Sequence, residues 1–471
     1  MPVLCQFYRI SAAIVTLFSV FSLAPVSAQD AALVARVDAV LAEWDAANKP
    51  GAAIAYIEQG EIVFKKAYGL ANLEHNIPWS TATVSDLGSV SKQFTGMAFA
   101  LLAEQGKLGL DDDIRLHLPQ LPEFGETITI RHLFNHTSGL REIYNTLYLI
   151  NRKPGDIIFQ EDAQTLLRYQ RKLQFSPGSR YLYNNTEYML LADIVEAVTG
   201  EEFHLWMRDN IFLPLDMRDT EIMHEQGQVI ANVASFYRQT DDGRFLQVYD
   251  NSTLQGGGGI YSTVEDVSKW IANFVNHRVG TPHSFELLTT SGALNNGESL
   301  DYGLGIAVSE EQGSRQWKHS GSSAGYRSML VYLPDYQRGY IFQTNTPAYG
   351  IPVDELNEAL LGDVLSERGQ PADSDQPESA DTVALSNPGQ FAGRYFSDEL
   401  EVFYMVTQEY DELLFAHRWL GSFSMRYLGD DTFALVDLGG SIRFNRNDSD
   451  AVTGFELDNG RTIGVQFRRM P

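Results

Sequence analysis

The stretch DLGSVSKQFTGMAFALLAEQG, residues 86–106, decides the fold. It places Ser89 three positions before Lys92, at the start of a segment whose apolar residues repeat with helical spacing. Residues three apart share a helix face, so the Lys92 amine is within reach of the Ser89 hydroxyl. A helix start also directs free N–H groups towards developing negative charge. The stretch predicts a nucleophilic serine beside a lysine, although the pair alone is a weak signal because both residues are common.

A second candidate is Tyr183-Asn184-Asn185, within SPGSRYLYNNTEYMLLADIVEAVTG at residues 176–200. The tyrosine precedes a segment with one apolar helix face, so we expect its phenol to point into a cleft. A nearby cation would lower the tyrosine pKa and make the phenol a usable general base. The alternative is a capping turn, in which Asn184 or Asn185 is the helix N-cap.

The third candidate is His319-Ser320-Gly321, within RQWKHSGSSAGYRSMLVYLP at residues 315–334. Gly321 allows the backbone to approach a ligand closely. The next N–H group, from Ser322, can pair with that of Ser89 to form an oxyanion hole. On its own, a single histidine would be interpreted as a structural residue.

Together, the three motifs resemble the serine β-lactamase and penicillin-binding protein superfamily, in its class C β-lactamase-like branch. The chain has the order of that branch: Ser-Xaa-Xaa-Lys, then Tyr-Xaa-Asn, then a strand with Lys or His followed by Xaa-Gly. Further likeness lies in ITIRHLFNHTSGL, GGGGIYSTVEDVSKW and YGLG. The resemblance covers roughly residues 31–365, and three motifs in order are far more specific than one.

The resemblance implies that Ser89 is the acylated nucleophile and that Lys92 and Tyr183 handle its proton. It further implies an oxyanion hole formed by the backbone N–H groups of Ser89 and Ser322. In the substrate pocket, Asn185 would bind the substrate amide and Lys92. The remaining residues implied in substrate binding are His319 and Gly321.

His319 departs from the class C β-lactamases, which have a lysine there, and this favours D-stereospecific peptidases, carboxypeptidases and esterases. The departure also removes a fixed cation that would attract an antibiotic carboxylate. We therefore expect cleavage of an amide or ester bond in a small peptide or ester, including peptides derived from cell walls. The alternatives are a β-lactamase, or a protein that binds cell-wall peptides or β-lactams without turnover.

The surrounding sequence predicts an α+β fold. A strand hairpin with its turn at Gln59-Gly60 and a second strand pair around residues 335–337 enclose a mostly helical stretch. Strands at both ends predict one antiparallel sheet flanked by helices, with an inserted helical lobe and a cleft between them. We assign residues 29–365 to this domain, 366–387 to an acidic linker and 388–471 to a small all-β barrel that is loosely lipocalin-like.

Residues 1–28 have the layout of a secretory signal peptide, with one positive charge, an apolar run and small residues at the end. We expect a periplasmic or secreted protein with no membrane anchor after cleavage. The single cysteine, Cys5, lies in this segment, so disulfides and cysteine chemistry are excluded from the mature chain. A net charge of −26 disfavours binding to nucleic acid or anionic lipid.

Three rival signals are weaker. Ser323 lies in a Gly-Xaa-Ser-Xaa-Gly pattern, but the sequence after it reads as a strand where a nucleophile elbow needs a helix. His132 and His136 stand four apart without the glutamate or third ligand of a zinc site. The glycine run 256–259 is not followed by Lys-Ser/Thr, so close backbone packing explains it better. We expect no metal and no cofactor.

Overall fold

The computed structural model describes residues 28–153, 155–311, 313–365, 385, 387–410 and 412–471. The predicted signal peptide and the predicted linker lie almost entirely outside these described residues.

The predicted antiparallel sheet is confirmed. Its six strands come from the two ends of the predicted domain, residues 29–365. Each neighbouring pair is antiparallel. Their order across the sheet is Ala307–Glu311, Ser314–Ser323, Tyr326–Leu333, Arg338–Thr344, Ala52–Glu58 and Glu61–Tyr68. Ala52–Glu58 lies next to the edge strand Glu61–Tyr68, and all of its residues except Glu58 are buried.

Helices cover both faces of this sheet and form the lobe beside it. On one face, Ala28–Val40 and Val353–Leu361 pack through Val37, Leu356 and Leu360. On the other face lie the helices and loops between the two hairpins, with one continuous apolar core. The helices of this stretch are Lys92–Glu104, Ile130–Phe134, Ile143–Leu149, Gln160–Tyr169, Asn185–Thr199, Phe203–Met207, Val264–Asn276 and Pro282–Thr289.

Short strands join the loops of the lobe and bring the cleft residues together. The pairs Ser85–Asp86 with Ile260–Ser262 and Ile260–Ser262 with Glu221–Ile222 are antiparallel. The remaining short strands are Leu70–Asn72, Ile77–Pro78, Ile157–Ile158, Tyr237–Gln239, Phe245–Gln247 and Asn251–Ser252.

The C-terminal region is a closed barrel of eight antiparallel strands, as the alternating sequence predicts. The strands are Gly393–Ser397, Val402–Glu409, Glu412–His417, Gly421–Gly429, Thr432–Leu435, Ser441–Arg446, Val452–Asn459 and Thr462–Arg469. Leu149 of the lobe belongs to the same apolar cluster as the barrel interior. Nearby, buried Arg141 forms an ion pair with Glu399 of the barrel at 2.7 Å, so the barrel rests on the lobe through both apolar and charged contacts.

Within the ranges that the structure covers, no helix has both the length and the apolar character needed to cross a membrane.

Candidate active site

Ser89 lies in the 3₁₀ turn Gly88–Ser91, which leads directly into the helix Lys92–Glu104. Gly88 has a φ of +52°, and a Cβ there would come within 2.5 Å of the Ser322 nitrogen. Only glycine satisfies both conditions without strain. Its N–H donates to Oδ1 of Asp86 at 2.8 Å. The turn therefore holds Ser89 against the strand that carries Ser322.

Lys92 is fully buried beside Ser89, as the spacing of the two residues predicts. Its Nζ lies 3.1 Å from Oγ of Ser89. It also donates to Oδ1 of Asn185 at 2.9 Å and to the carbonyl of Gly257 at 2.6 Å. Burial lowers the pKa of Lys92 to about 7, and the positive charge of Arg461 contributes to this lowering. A substantial share of Lys92 is therefore a neutral amine at neutral pH.

Asn185 is oriented by a buried carboxylate that the sequence motifs did not indicate. Its Nδ2 donates to Oε1 of Glu142 at 2.8 Å. A carboxylate oxygen only accepts from an amide, so the amide oxygen of Asn185 must face Lys92. The capping hypothesis is also confirmed, because Asn184 accepts from the N–H of Thr186 at 2.9 Å and caps the helix Asn185–Thr199.

Tyr183 faces two cations across its ring. Nζ of Lys92 lies 5.0 Å from the ring centroid and Cζ of Arg461 lies 5.3 Å from it. We expected a cation to lower the tyrosine pKa, and that expectation is wrong in its net direction. Burial raises the pKa of Tyr183 well above its ordinary value, although the Ser89 hydroxyl and Arg461 partly oppose the rise. The phenol therefore keeps its proton at neutral pH.

His319 is a neutral imidazole in a defined tautomer. Its Nδ1 lies 2.7 Å from the carbonyl oxygen of Ser320, which can only accept a hydrogen bond. Its Nε2 is 2.8 Å from the Tyr302 hydroxyl, which can donate to it. Burial, with the Lys92 charge as a second cause, lowers the pKa of His319 to about 4. The strand therefore presents an uncharged side chain at this position at neutral pH.

Gly321 and Ser322 follow His319 on the same strand, Ser314–Ser323. A side chain at Gly321 would overlap the backbone carbonyl of Leu87. Ser322 is exposed to the cleft and lines the same cavity as Ser89. The structure thus brings the predicted residues of the three motifs to one place.

The rival motifs have separate structural partners. Ser323 ends its strand, and its hydroxyl donates to Oδ2 of Asp250 at 3.1 Å. His132 caps its helix by accepting from the N–H of Thr129 at 3.1 Å. His136 faces a different way, with Nδ1 2.7 Å from Oε2 of Glu187.

The glycine run 256–259 contacts the helix Lys92–Glu104, as expected for close packing. Thr95 donates to the carbonyl of Gly256 at 2.8 Å, beside the Gly257 carbonyl that binds Lys92. In the ranges covered by the structure, no three His, Cys, Asp or Glu side chains are grouped so that they could hold a metal ion.

A cavity of about 690 Å³ opens over Ser89. Sequence reasoning missed several groups of this site: Asp86, Glu142, Asp250 and Arg461. Burial raises the pKa of Asp86 to about 6, and the charge of Asp250 also raises it. Arg461 is unexpected because it comes from the barrel, and the only signal near it in the sequence is the turn-forming Asp458-Asn459-Gly460.

This fold and this serine-lysine-tyrosine arrangement are those of a β-lactamase-like serine hydrolase. A family model described as Beta-lactamase matches residues 36–362, so the chain belongs to the beta-lactamase family.

Two curated relatives and one solved structure show how far the likeness extends. The chain is 30% identical over 305 residues to penicillin-binding protein 4* of Bacillus subtilis (strain 168), covering 61% of this chain and 66% of that protein. It is 28% identical over 296 residues to D-aminopeptidase of Brucella anthropi, covering 63% of this chain and 56% of that protein. The chain thus matches less than two thirds of either relative's length.

The solved structure is that of the octameric penicillin-binding protein homologue from Pyrococcus abyssi. Its TM-score is 0.61 at 22% identity, and the match covers 92% of this chain and 98% of that one. This likeness shows the shared fold and includes the region of the barrel.

Proposed function

We propose that this protein is an exported serine hydrolase that cleaves an amide or ester bond through an acyl-enzyme on Ser89. The observation that carries the proposal is the environment of the Lys92 amine. A neutral amine has two N–H groups and one lone pair. The carbonyl oxygens of Asn185 and Gly257 can only accept, so they take the two N–H groups. The lone pair is left for the Ser89 hydroxyl at 3.1 Å.

From this arrangement, the proposed reaction proceeds by acylation of Ser89 and then hydrolysis of the acyl-enzyme. The Ser89 oxygen attacks the substrate carbonyl carbon while its proton moves to Lys92. The backbone N–H groups of Ser89 and Ser322 stabilise the resulting oxyanion. The tetrahedral intermediate collapses as a proton passes to the leaving amine or alcohol, from Lys92 directly or through the phenol of Tyr183. Water then attacks the acyl-enzyme by the same route and releases the acid.

The proposed substrates are small peptides or esters with D-stereochemistry, which include cell-wall-derived peptides. Two features support this class: the neutral His319 in place of a fixed cation, and relatives named D-aminopeptidase and penicillin-binding protein. In this proposal Asn185, whose Nδ2 donates to Oε1 of Glu142, binds the substrate amide. Export through residues 1–28 and the division into domains 29–365 and 388–471 belong to the same proposal.

The experiment compares Ser89→Ala with Ser323→Ala. A fluorophosphonate probe should label the wild-type protein and Ser323→Ala, but not Ser89→Ala. Hydrolysis of D-alanyl peptides, short p-nitrophenyl esters and a chromogenic cephalosporin is measured on the same samples. We expect Ser89→Ala to lose all hydrolysis. Labelling or turnover that survives in Ser89→Ala would contradict the proposal, and loss only in Ser323→Ala would show that Ser323 is the nucleophile.

A further inference from the structure

The barrel places a guanidinium in the catalytic cavity. Arg461 lies at the turn between the barrel strands Val452–Asn459 and Thr462–Arg469. Its side chain lines the cavity with Ser89 and is 38% exposed. Its Cζ lies 5.3 Å from the ring centroid of Tyr183, and one terminal nitrogen lies 3.9 Å from Oε1 of Glu142.

The backbone of this turn is fixed to the lobe by several hydrogen bonds. The N–H of Arg461 donates to Oδ1 of Asn145 at 3.3 Å. The hydroxyl groups of Thr462 and Thr146 lie 2.8 Å apart in a buried contact. The N–H of Ile463 donates to Oε1 of Gln174 at 2.6 Å. The turn is therefore held in register with the helix Ile143–Leu149 whatever the side chain of Arg461 does.

The guanidinium itself is poorly satisfied by the protein. Across the described part of the chain, no acceptor takes a hydrogen bond from it by ordinary geometric criteria, and the Glu142 contact is long for an ion pair. Glu142 already accepts from Asn185 and from the N–H of Asn145. A guanidinium has five N–H donors in a planar fork, which matches a carboxylate in two parallel hydrogen bonds. The donors that face the cavity are thus available to a ligand.

Arg461 also differs from the other cations of the cavity. Lys92 has a pKa of about 7 and is saturated by its three contacts. Arg152 is engaged by Asp162 at 3.1 Å. Lys153 is exposed on the loop after the helix Ile143–Leu149. Arg461, by contrast, has a permanently charged side chain that lies against the ring of Tyr183.

We propose that Arg461 binds a free carboxylate on the leaving portion of the substrate, so that the barrel selects carboxylate-bearing substrates for Ser89. This inference rests on the proposed function and makes it more specific: the preferred bond lies next to a terminal carboxylate, as in carboxypeptidase action. Arg461 of the barrel then supplies the positive charge that is lost where His319 replaces the lysine of class C β-lactamases. Arg461 is a substrate-binding residue in this scheme and takes no part in proton transfer.

The test uses two esters with the same acyl group, phenylacetyl-D-alanine, and different leaving groups. One leaving group is 3-hydroxybenzoate, which has a carboxylate, and the other is phenol, which has none. We expect the wild-type kcat/KM to favour the carboxylate ester, with a preference that falls as salt is added. Arg461→Gln should lower kcat/KM for the carboxylate ester by about 10- to 100-fold, the range of a charged hydrogen bond. Measured well above the Lys92 pKa, where the amine is neutral in both proteins, the phenyl ester should change by less than about threefold.

Two variants serve as matched controls. Lys153→Gln removes a charge that lines the same cavity and should leave the ester preference unchanged. Arg461→Lys keeps the charge without the fork and should retain part of the preference. Equal losses on both esters in Arg461→Gln, or a wild-type protein with no preference for the carboxylate ester, would overturn the inference. Ester hydrolysis that persists in Ser89→Ala would instead overturn the proposed function, so the two failures are distinguishable.

Discussion

The two walls of the cavity use ionisable groups in opposite ways. On the wall from the family-matched region, Lys92 and His319 are buried, and burial lowers the pKa of Lys92 to about 7 and that of His319 to about 4. Every polar atom of these two side chains has a partner. On the barrel wall, Arg461 is partly exposed and its ion-pair contact with Glu142 is long. Burial thus disfavours the charged forms of Lys92 and His319 on the first wall, whereas the second wall keeps a charge.

This difference has a physical cause. A buried amine loses hydration that favours its charged form, so the core converts lysine into a base at neutral pH. A guanidinium stays charged even where it is partly dehydrated, and it needs open space to receive a ligand. In the proposed mechanism, the wall with Lys92 supplies the chemistry and the barrel turn supplies recognition.

The largest effect is expected from Lys92→Met and Tyr183→Phe, which act on the first wall alone. Each should lower the acylation rate by about 100-fold or more, because the serine loses its proton acceptor or the phenol that relays the proton. The double variant should be little worse than the worse single one, since the two side chains serve one transfer. Stopped-flow acylation by the phenyl ester measures this. Tyr181→Phe, a neighbouring and more exposed tyrosine, is the control and should keep the wild-type rate.

If the rate losses of the two single variants multiply in the double variant, Lys92 and Tyr183 act independently. A Tyr183→Phe protein with the wild-type rate would reduce that tyrosine to a residue that precedes the helix Asn185–Thr199.

A smaller effect is expected from pH, and it connects the two walls. In the proposed mechanism the active form of Lys92 is the neutral amine, so kcat/KM for the phenyl ester should rise with pH around the Lys92 pKa of about 7. The increase from pH 6 to pH 8 should be about tenfold. Arg461 lowers this pKa by its charge, so Arg461→Gln should move the midpoint to higher pH. A profile that is flat over this range, or a midpoint that Arg461→Gln moves downward, would contradict the assignment of Lys92 as the base.

The sequence predicted those parts of the molecule that depend on local spacing. Ser89 and Lys92 are three apart, so their contact could be predicted from spacing alone. The hairpins appear in the sequence as strand pairs around short turns, so the sheet could be predicted too. The alternating pattern after residue 387 likewise predicted the barrel.

The parts that depend on burial and docking could not be predicted. The pKa of Tyr183 rises because the ring is buried, and burial depends on distant segments rather than on the neighbouring motif. Glu142 sits in no recognised spacing with Asn185, 43 positions later. Arg461 reaches Tyr183 only because the barrel docks on the helix Ile143–Leu149, which no local pattern specifies.

The smallest expected effect comes from the backbone that presents Arg461. Gly460 has a φ of +56°, and a Cβ there would lie 2.5 Å from Nδ2 of Asn145, the side chain that anchors the turn. Gly460→Ala should therefore lower the free energy of unfolding by about 1–2 kcal/mol through the left-handed conformation. It should also displace the turn, and so lower kcat/KM for the carboxylate ester by about threefold while the phenyl ester is unchanged.

Gly464 is the matched control, because it has a φ of +71° and a Cβ added there would meet no atom within 4 Å. Gly464→Ala should carry a similar conformational cost, measured by urea unfolding, and leave the ratio of the two esters at the wild-type value. If both variants shift the ester ratio equally, the ratio reports general loosening of the barrel. If only Gly460→Ala shifts it, carboxylate selection depends on where the docked turn holds Arg461, and the two walls are separable in function as they are in structure.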